Sequence, residues 1–376
     1  MTTGLQLRSL VSSDGALRLS FVEVVLDDIG PDDVVVQVEA TPLNPSDLRL
    51  LFGQADMSTL EVSGTGADRV VTAWVSPKAL QRNTARLDLS LPVGNEGAGK
   101  VVAAGNSEAA QALLGKTVSM IGGSMYSEYR LLDRRSCQEL PEGVDAVQGA
   151  SWFINPMTTL AFLETMRTDG QRALVHTAAA SNLGRMLNRV CIEDDVALVN
   201  IVRSDAQREI LEQIGARYIV DSTSDTFRAD LTAAISSTGA MVAFDATGGG
   251  TLAGQILSCM EAAARAESGE YSAYGTDVHK RVYSYGSLDT RPTEIVRDFG
   301  FAWSLSGWLL WPTLTRLGAE KQGELRERVV RSLTTTFASE YTDQISLFDV
   351  IDPVVLDRYS RLRTGEKYLI RPNTWA

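Results

Sequence analysis

Between residues 17 and 43 apolar and polar positions alternate, most clearly in VVVQVEATPLN, and glycine and proline interrupt the pattern repeatedly up to about residue 145. A period of two broken by turn formers predicts short strands with few, brief helices. From about residue 150 the texture changes. Five strand-like runs, RALVHTA, VALVNIVRS, RYIVDS, AMVAFDAT and RVYSYGSL, are separated by helix-length stretches such as 205–215. Strands that alternate with helices predict a parallel, doubly wound sheet, because parallel neighbours need crossovers and the crossover helices cover the faces. The last segment, 324–376, predicts a long helix, a second one near LDRYSRLRTG, and the strand KYLIRP.

At 376 residues the chain is too long for one ordinary core and suits two domains. A hydrophobic share of 44% and a charged share of 22% fit a soluble globular protein. The net charge of -12 argues against nucleic acid and anionic membrane partners, which select clustered Lys and Arg. The N-terminal MTTGLQLRSLVSSDG lacks the basic and continuously apolar regions of a secretory signal, and GFAWSLSGWLLWPTL is shorter than the roughly 20 residues of a membrane span. A cytoplasmic location is expected. Cys137, Cys191 and Cys259 lie far apart without CxxC spacing, so they predict reduced thiols and no disulfide or zinc knot.

The segment ALVHTAAASNLGRMLNRVCI reads as a buried strand, a turn of small residues and an amphipathic helix that opens near Asn182. In a dinucleotide-binding fold such a turn, Ala180, Ser181, Asn182, Leu183 and Gly184, lets the backbone approach a pyrophosphate whose charge meets the helix N-terminus. Only Gly184 matches the glycine fingerprint, and a plain strand-to-helix connection is the competing reading. The end of the next strand, where a carboxylate ordinarily binds the ribose of NAD, carries Arg203 and Ser204 instead. Arg203 and Arg208 suit a 2′-phosphate, which points to NADPH, unless both are surface residues with Asp205 and Glu209 as local partners. Thr247 with Gly248, and Tyr285 with Gly286, follow later strands at the ends where ligands bind in such sheets.

Taken in order, NPSDLRLLFG, LPVGNEGAGKVVAAG, MYSEYRLL, NPMTTLAFLE, HTAAASNLG, VRSDAQREILEQIGA, VAFDATGGG, YSYGSLD and TGEKYLIRP resemble the medium-chain dehydrogenase/reductases over nearly the whole chain. The likeness is greatest to the zinc-free, NADPH-dependent quinone oxidoreductase branch. The resemblance implies an α/β protein with a GroES-like, β-rich catalytic domain built from both chain ends (1–150 and 311–376) and a Rossmann domain between them (151–310). Zinc-binding relatives carry a cysteine where this chain has Ser46 and a histidine where it has Asn95. Residues 1–136 contain no Cys or His, and the two histidines, His176 and His279, read as structural or surface residues, so no catalytic zinc is expected.

The resemblance also assigns candidate roles. It places the Asn44 amide beside nicotinamide and substrate, although N-P-S-D is also a helix-cap signature. Tyr126 resembles a residue lining the substrate cleft, with core packing as its alternative; by period, Tyr126 and Tyr129 are expected on opposite faces of one strand unless a bulge intervenes. Thr159 resembles a residue near the cofactor, against a mid-helix threonine bonded to its own backbone. Lys367 resembles a cofactor-proximal cation, against a surface lysine. Glu96 reads as a buried structural carboxylate or, alternatively, a catalytic one. Enoyl-thioester reductases of the family carry a catalytic tyrosine within the interval 48–94, which has none here. Ser222 replaces a tyrosine that contacts the adenosine half in many relatives, and segments near 61–83 and 268–281 read as insertions.

The expected function is zinc-independent hydride transfer from NADPH to a quinone or enone. The alternatives are a catalytically silent NADPH-binding sensor or structural protein, and a zinc-free carbonyl reductase. A homodimer is expected from the family habit of pairing Rossmann sheet edges and from the apolar RDFGFAWSLSGWLLW, unless Trp303, Trp308 and Trp311 pack inside the chain.

Overall fold

The computed structural model describes residues 2–269, 271–361, 363 and 365–373. The chain forms two compact units, 1–154 with 330–376, and 155–329. The return to the first unit falls at 330, later than the expected 311. The cause is Leu310–Arg331, two helical pieces broken at Gly318 (φ 81°), most of which stays with the second unit.

The first unit is β-rich. Its central strand Asp33–Pro42 carries Val34, Val35, Val36, Val38 and Ala40 fully buried, so both faces are covered and the run is apolar rather than cleanly alternating. It pairs antiparallel with Glu96–Ala104 and Tyr129–Asp133, and Leu369 and Ile370 of the C-terminal strand Tyr368–Arg371 pair with Pro42 and Thr41. The end of the chain thus completes a sheet begun near its start. A second, five-stranded sheet holds Thr2–Val11 and Ala16–Leu26. The segment expected as an insertion near 61–83 extends this sheet. Val70–Val75 pairs with Ala16–Leu26 on one side and Ala55–Ser63 on the other, with Val71, Ala73 and Val75 facing the core and Trp74 exposed. Burial of each such valine contributes roughly 1.5 to 3 kcal/mol.

MYSEYRLL is not one strand, in contrast to the period-two reading. Regular pairing begins at Tyr129. Upstream, the Tyr126 N–H donates to the Val93 carbonyl (3.0 Å) and the Tyr126 carbonyl accepts from the Leu7 N–H (2.9 Å), an irregular stretch that turns the Tyr126 ring into the core.

The second unit has the expected parallel sheet. Its strands lie in the order Tyr218–Asp221, Ala197–Val202, Ala173–His176, Val242–Asp245, Lys280–Ser284, Trp303–Gly307, which is the doubly wound arrangement 3-2-1-4-5-6. Val175, Val199, Ala243 and Val282 fill its centre. The segment near 268–281 is tied down by Glu261. Its buried carboxylate accepts from Thr276 N (2.9 Å) and Oγ1 (2.8 Å), from Arg265, and from the fully buried Lys280 ammonium. A buried ion pair is tolerated only with such additional hydrogen bonds. Among the described residues no helix is long and apolar enough to cross a membrane.

Candidate functional site

In a doubly wound sheet ligands bind beyond the strand ends where the strand order reverses, here between Ala173–His176 and Val242–Asp245. The chain leaves the first of these strands through Thr177, turns with Ala178 in left-handed backbone (φ 52°), and enters helix Asn182–Glu193, capped by Ser181 Oγ accepting from Gly184 N (3.1 Å). A Cβ on Gly184 would sit 2.1 Å from the Ala179 carbonyl oxygen, so only glycine lets helix and strand approach this closely. Ala180 is buried, whereas Ser181, Asn182 and Leu183 are partly exposed at the helix N-terminus, whose dipole suits a pyrophosphate. Thr159, on helix Ile154–Thr168, is fully buried and its Oγ1 has no partner, so the bond to its own backbone is not made. A crowded glycine turn beneath a helix N-terminus fits a dinucleotide.

Sequence reasoning missed Asp245. This buried carboxylate accepts from Thr177 Oγ1 (2.8 Å), Thr247 N (2.9 Å) and Gly248 N (2.9 Å), and Thr177 Oγ1 in turn accepts from Ala246 N (2.8 Å). The two strands at the reversal are thereby clasped at their ends. The signal was a lone aspartate closing the apolar run VAF. Gly248 is left-handed (φ 76°) and packs against the Gly286 carbonyl, leaving 2.5 Å for a Cβ. Tyr285, beside it, has its hydroxyl 2.7 Å from His176 Nε2. Burial pushes the His176 imidazole down to about 3, so it is neutral at ordinary pH.

Arg203 follows strand Ala197–Val202 and is exposed, its N–H donating to Gln207 Oε1 (3.1 Å). Ser204 caps helix Asp205–Gln213. Arg208 does not use a carboxylate: its Nη1 donates to the Ile219 carbonyl (3.1 Å), which ties it to the neighbouring strand. Ser222 Oγ donates to the Val202 carbonyl (3.0 Å).

The first unit holds a different kind of cluster. Asn44 caps helix Pro45–Phe52, prearranged by Pro45, and its N–H donates to Asp47 Oδ2 (2.9 Å). Its Nδ2 donates to Glu96 Oε1 (2.9 Å), while Glu96 Oε2 accepts from the N–H groups of Phe153 and Ile154 (2.9 Å each). Glu96 is thus the buried structural carboxylate. Burial raises its pKa, opposed chiefly by the nearby Lys367 charge, and burial with a smaller contribution from Glu96 pushes Asp47 up to about 7. Lys367 is buried, with Nζ 5.6 Å from the Tyr341 ring centre, and is not a surface lysine. Tyr126 has no exposed surface and packs with Leu7, Leu43, Val93 and Ile370, its hydroxyl 3.4 Å from the Pro42 carbonyl, which favours the core role.

Ser46 and Asn95, the two positions the resemblance links to zinc ligands in metal-binding relatives, hydrogen-bond each other (Nδ2 to Oγ, 3.0 Å). Among the described residues no three His, Cys, Asp or Glu side chains converge to hold a metal ion. A cavity of about 250 Å³ bordered by Asn188, Cys191, Ala197 and Tyr218 opens at the N-terminal ends of two Rossmann strands, away from the crevice.

No protein-family model matches the chain. Over 132 residues it is 30% identical to a quinone oxidoreductase of Pseudomonas aeruginosa, a match that covers 34% of this chain and 40% of that protein. The solved structure of a Mesorhizobium loti protein named as an NADPH:quinone reductase is similar with a TM-score of 0.72 and 22% identity, covering 99% of this chain and 100% of the other. A mutant form of an enoyl thioester reductase from Candida tropicalis gives a TM-score of 0.65 at 16% identity, covering 99% and 100%. The chain shares the fold of these solved structures over nearly its whole length. Solved structures that share it include proteins named as NADPH:quinone reductases and enoyl thioester reductases.

Proposed function

We propose that this chain is an NADPH-dependent reductase of quinones or activated alkenes that works without zinc. The observation that carries the reading is the turn 177–184 at the strand-order reversal, where Gly184 has no room for a side chain and a helix N-terminus faces the crevice. The cofactor, when bound, supplies the hydride. Ala180 to Gly184 hold its pyrophosphate, Arg203 meets the 2′-phosphate, and Thr247, Gly248, Tyr285 and Gly286 line the crevice, with Thr159 as a further polar contact. By the family resemblance, Asn44 is assigned to the nicotinamide and substrate, and Lys367 to the cofactor.

The Ser46 to Asn95 hydrogen bond supports the zinc-free assignment, since a small hydroxyl and an amide occupy each other. Without a metal, the acceptor itself must spread the incoming negative charge. A quinone or enone does so onto oxygen, where a hydrogen-bond donor or water completes the reaction, and a simple ketone does not. The absence of tyrosine from 48–94 separates this reading from enoyl-thioester reduction. The exposed Phe301 and Trp311 flank the edge strand Trp303–Gly307 and support a homodimer through that edge, which light scattering at micromolar concentration tests.

The deciding experiment is NADPH oxidation with a panel of quinones, enones and simple carbonyls, alongside elemental analysis for zinc. Oxidation with quinones or enones is expected. NADPH binding without turnover across the panel makes the chain a silent cofactor-binding protein, and a required, tightly held zinc overturns the metal-free assignment.

A further inference from the structure

The crevice contains one polar hydrogen too many for its protein acceptors. His176 closes strand Ala173–His176 fully buried, with Nε2 2.7 Å from the Tyr285 hydroxyl and Nδ1 without a hydrogen-bond partner. Burial among aromatic rings keeps the imidazole neutral, so it carries a single N–H and two arrangements compete. With the proton on Nδ1, Tyr285 donates to Nε2 and a buried N–H is stranded, an orphan that folded proteins rarely keep. With the proton on Nε2, the ring donates to the phenol oxygen and only a lone pair is stranded. The phenol hydrogen then has no protein acceptor and turns elsewhere.

We infer that His176 holds Tyr285 as a hydrogen-bond donor to an acceptor oxygen of the dinucleotide bound in the crevice. The placement agrees with this role. Tyr285 follows strand Lys280–Ser284, and its N–H donates to the Asp245 carbonyl (2.9 Å). Its side chain therefore reaches from the fifth strand past the fourth to the end of the first, across the point of reversal where such sheets bind ligands. Packing alone does not call for the hydroxyl, because a phenylalanine would make the same edge contact with Phe162 (centroids 4.8 Å apart). The inference rests on the proposal that this crevice binds NADPH, and it assigns a role to His176 that a merely structural histidine would not have.

Two measurements on the full chain test it. The chain has two histidines, so a long-range proton–nitrogen correlation spectrum, with His279→Gln for assignment, reads the His176 tautomer directly. The expected result is the protonated nitrogen at Nε2, and protonation at Nδ1 overturns the inference. Titration calorimetry of Tyr285→Phe is expected to show NADPH binding weakened about tenfold relative to the parent. If the parent binds NADPH and Tyr285→Phe binds it equally well, the inference fails while the proposed function stands. If the parent itself does not bind NADPH, the proposed function falls and takes the inference with it.

Discussion

The two candidate sites, one in each unit, solve the problem of buried polarity in opposite ways, although the second unit does bury the Glu261–Lys280 ion pair away from its site. In the first, charge is placed inside: Glu96, Asp47 and Lys367 are all buried around Asn44, and each depends on named donors or on its neighbours' charge. In the Rossmann crevice the lining is made of backbone, hydroxyls, a neutral imidazole and glycines with no space for a Cβ, and its one buried carboxylate, Asp245, is surrounded by three short donors. The first arrangement sets electrostatics and the second sets shape. A dinucleotide brings its own charge, so its binder needs room and donors; a site that handles a small neutral acceptor must supply the field itself.

The largest expected effect lies in the charged unit. Glu96→Ala strips the acceptor from two buried donors, Asn44 Nδ2 and the Phe153 N–H, and from the partly buried Ile154 N–H, and removes the carboxylate charge near Lys367. Destabilisation of about 3 to 5 kcal/mol is expected in urea unfolding. A loss under about 1 kcal/mol would mean that the cluster is solvated and that the contrast between the units is illusory.

The matching perturbation of the Rossmann crevice is steric. In Gly184→Ala the new methyl meets the Ala179 carbonyl at 2.1 Å, and backbone cannot move aside as a flexible side chain can. Up to about 3 kcal/mol of stability should be lost, with NADPH affinity falling as the turn shifts. Parent-like stability and binding together would show that the turn has slack.

A third test uses pH on the charged side alone. Asp47 is pushed up to about 7 when folded, above its ordinary unfolded value near 3.9. The folded state therefore binds more protons than the unfolded one between those limits, and Asp47 lowers stability as pH rises from about 4 to about 7. Asp47→Asn keeps a side-chain acceptor for the Asn44 N–H and removes the titration. The parent should lose about 3 kcal/mol relative to this variant across that window, at about 1.4 kcal/mol per pKa unit. Parallel stability profiles would place the Asp47 pKa in the ordinary range.

The same contrast explains what was legible in the sequence. The Rossmann unit was readable because its determinants are local: apolar strand runs, a small-residue turn, and Gly184 within one connection. The charged cluster was readable only in part, because Glu96 meets donors more than 50 residues away at Phe153 and Ile154, and Lys367 comes from the far end of the chain. The return point was misplaced because nothing local tells which unit an amphipathic helix such as Leu310–Arg331 joins. Period two leaves open whether a bulge interrupts MYSEYRLL, and the irregular stretch at Tyr126, set by Val93 and Leu7, is the alternative that the fold takes. His176 reads only as a structural or surface residue in the sequence because its partner, Tyr285, lies four strands later in the chain.

The smallest effect concerns cofactor choice, the one point at which the neutral crevice is proposed to use a side-chain charge. Arg203 is exposed at the end of the second Rossmann strand, so its pairing with a 2′-phosphate is screened by solvent. Arg203→Ala should weaken NADPH binding about tenfold and leave NADH, which lacks that phosphate, nearly unchanged. Arg208 is held by the Ile219 carbonyl, so Arg208→Ala alone should change the ratio less, and the double variant should fall short of the sum if the two share the phosphate. The quantity to measure is the ratio of NADPH to NADH dissociation constants in parent, single and double variants at fixed salt. An unchanged ratio in all of them would make the crevice neutral throughout, sharpen the contrast with the charged unit, and remove the arginines as the reason for choosing NADPH over NADH.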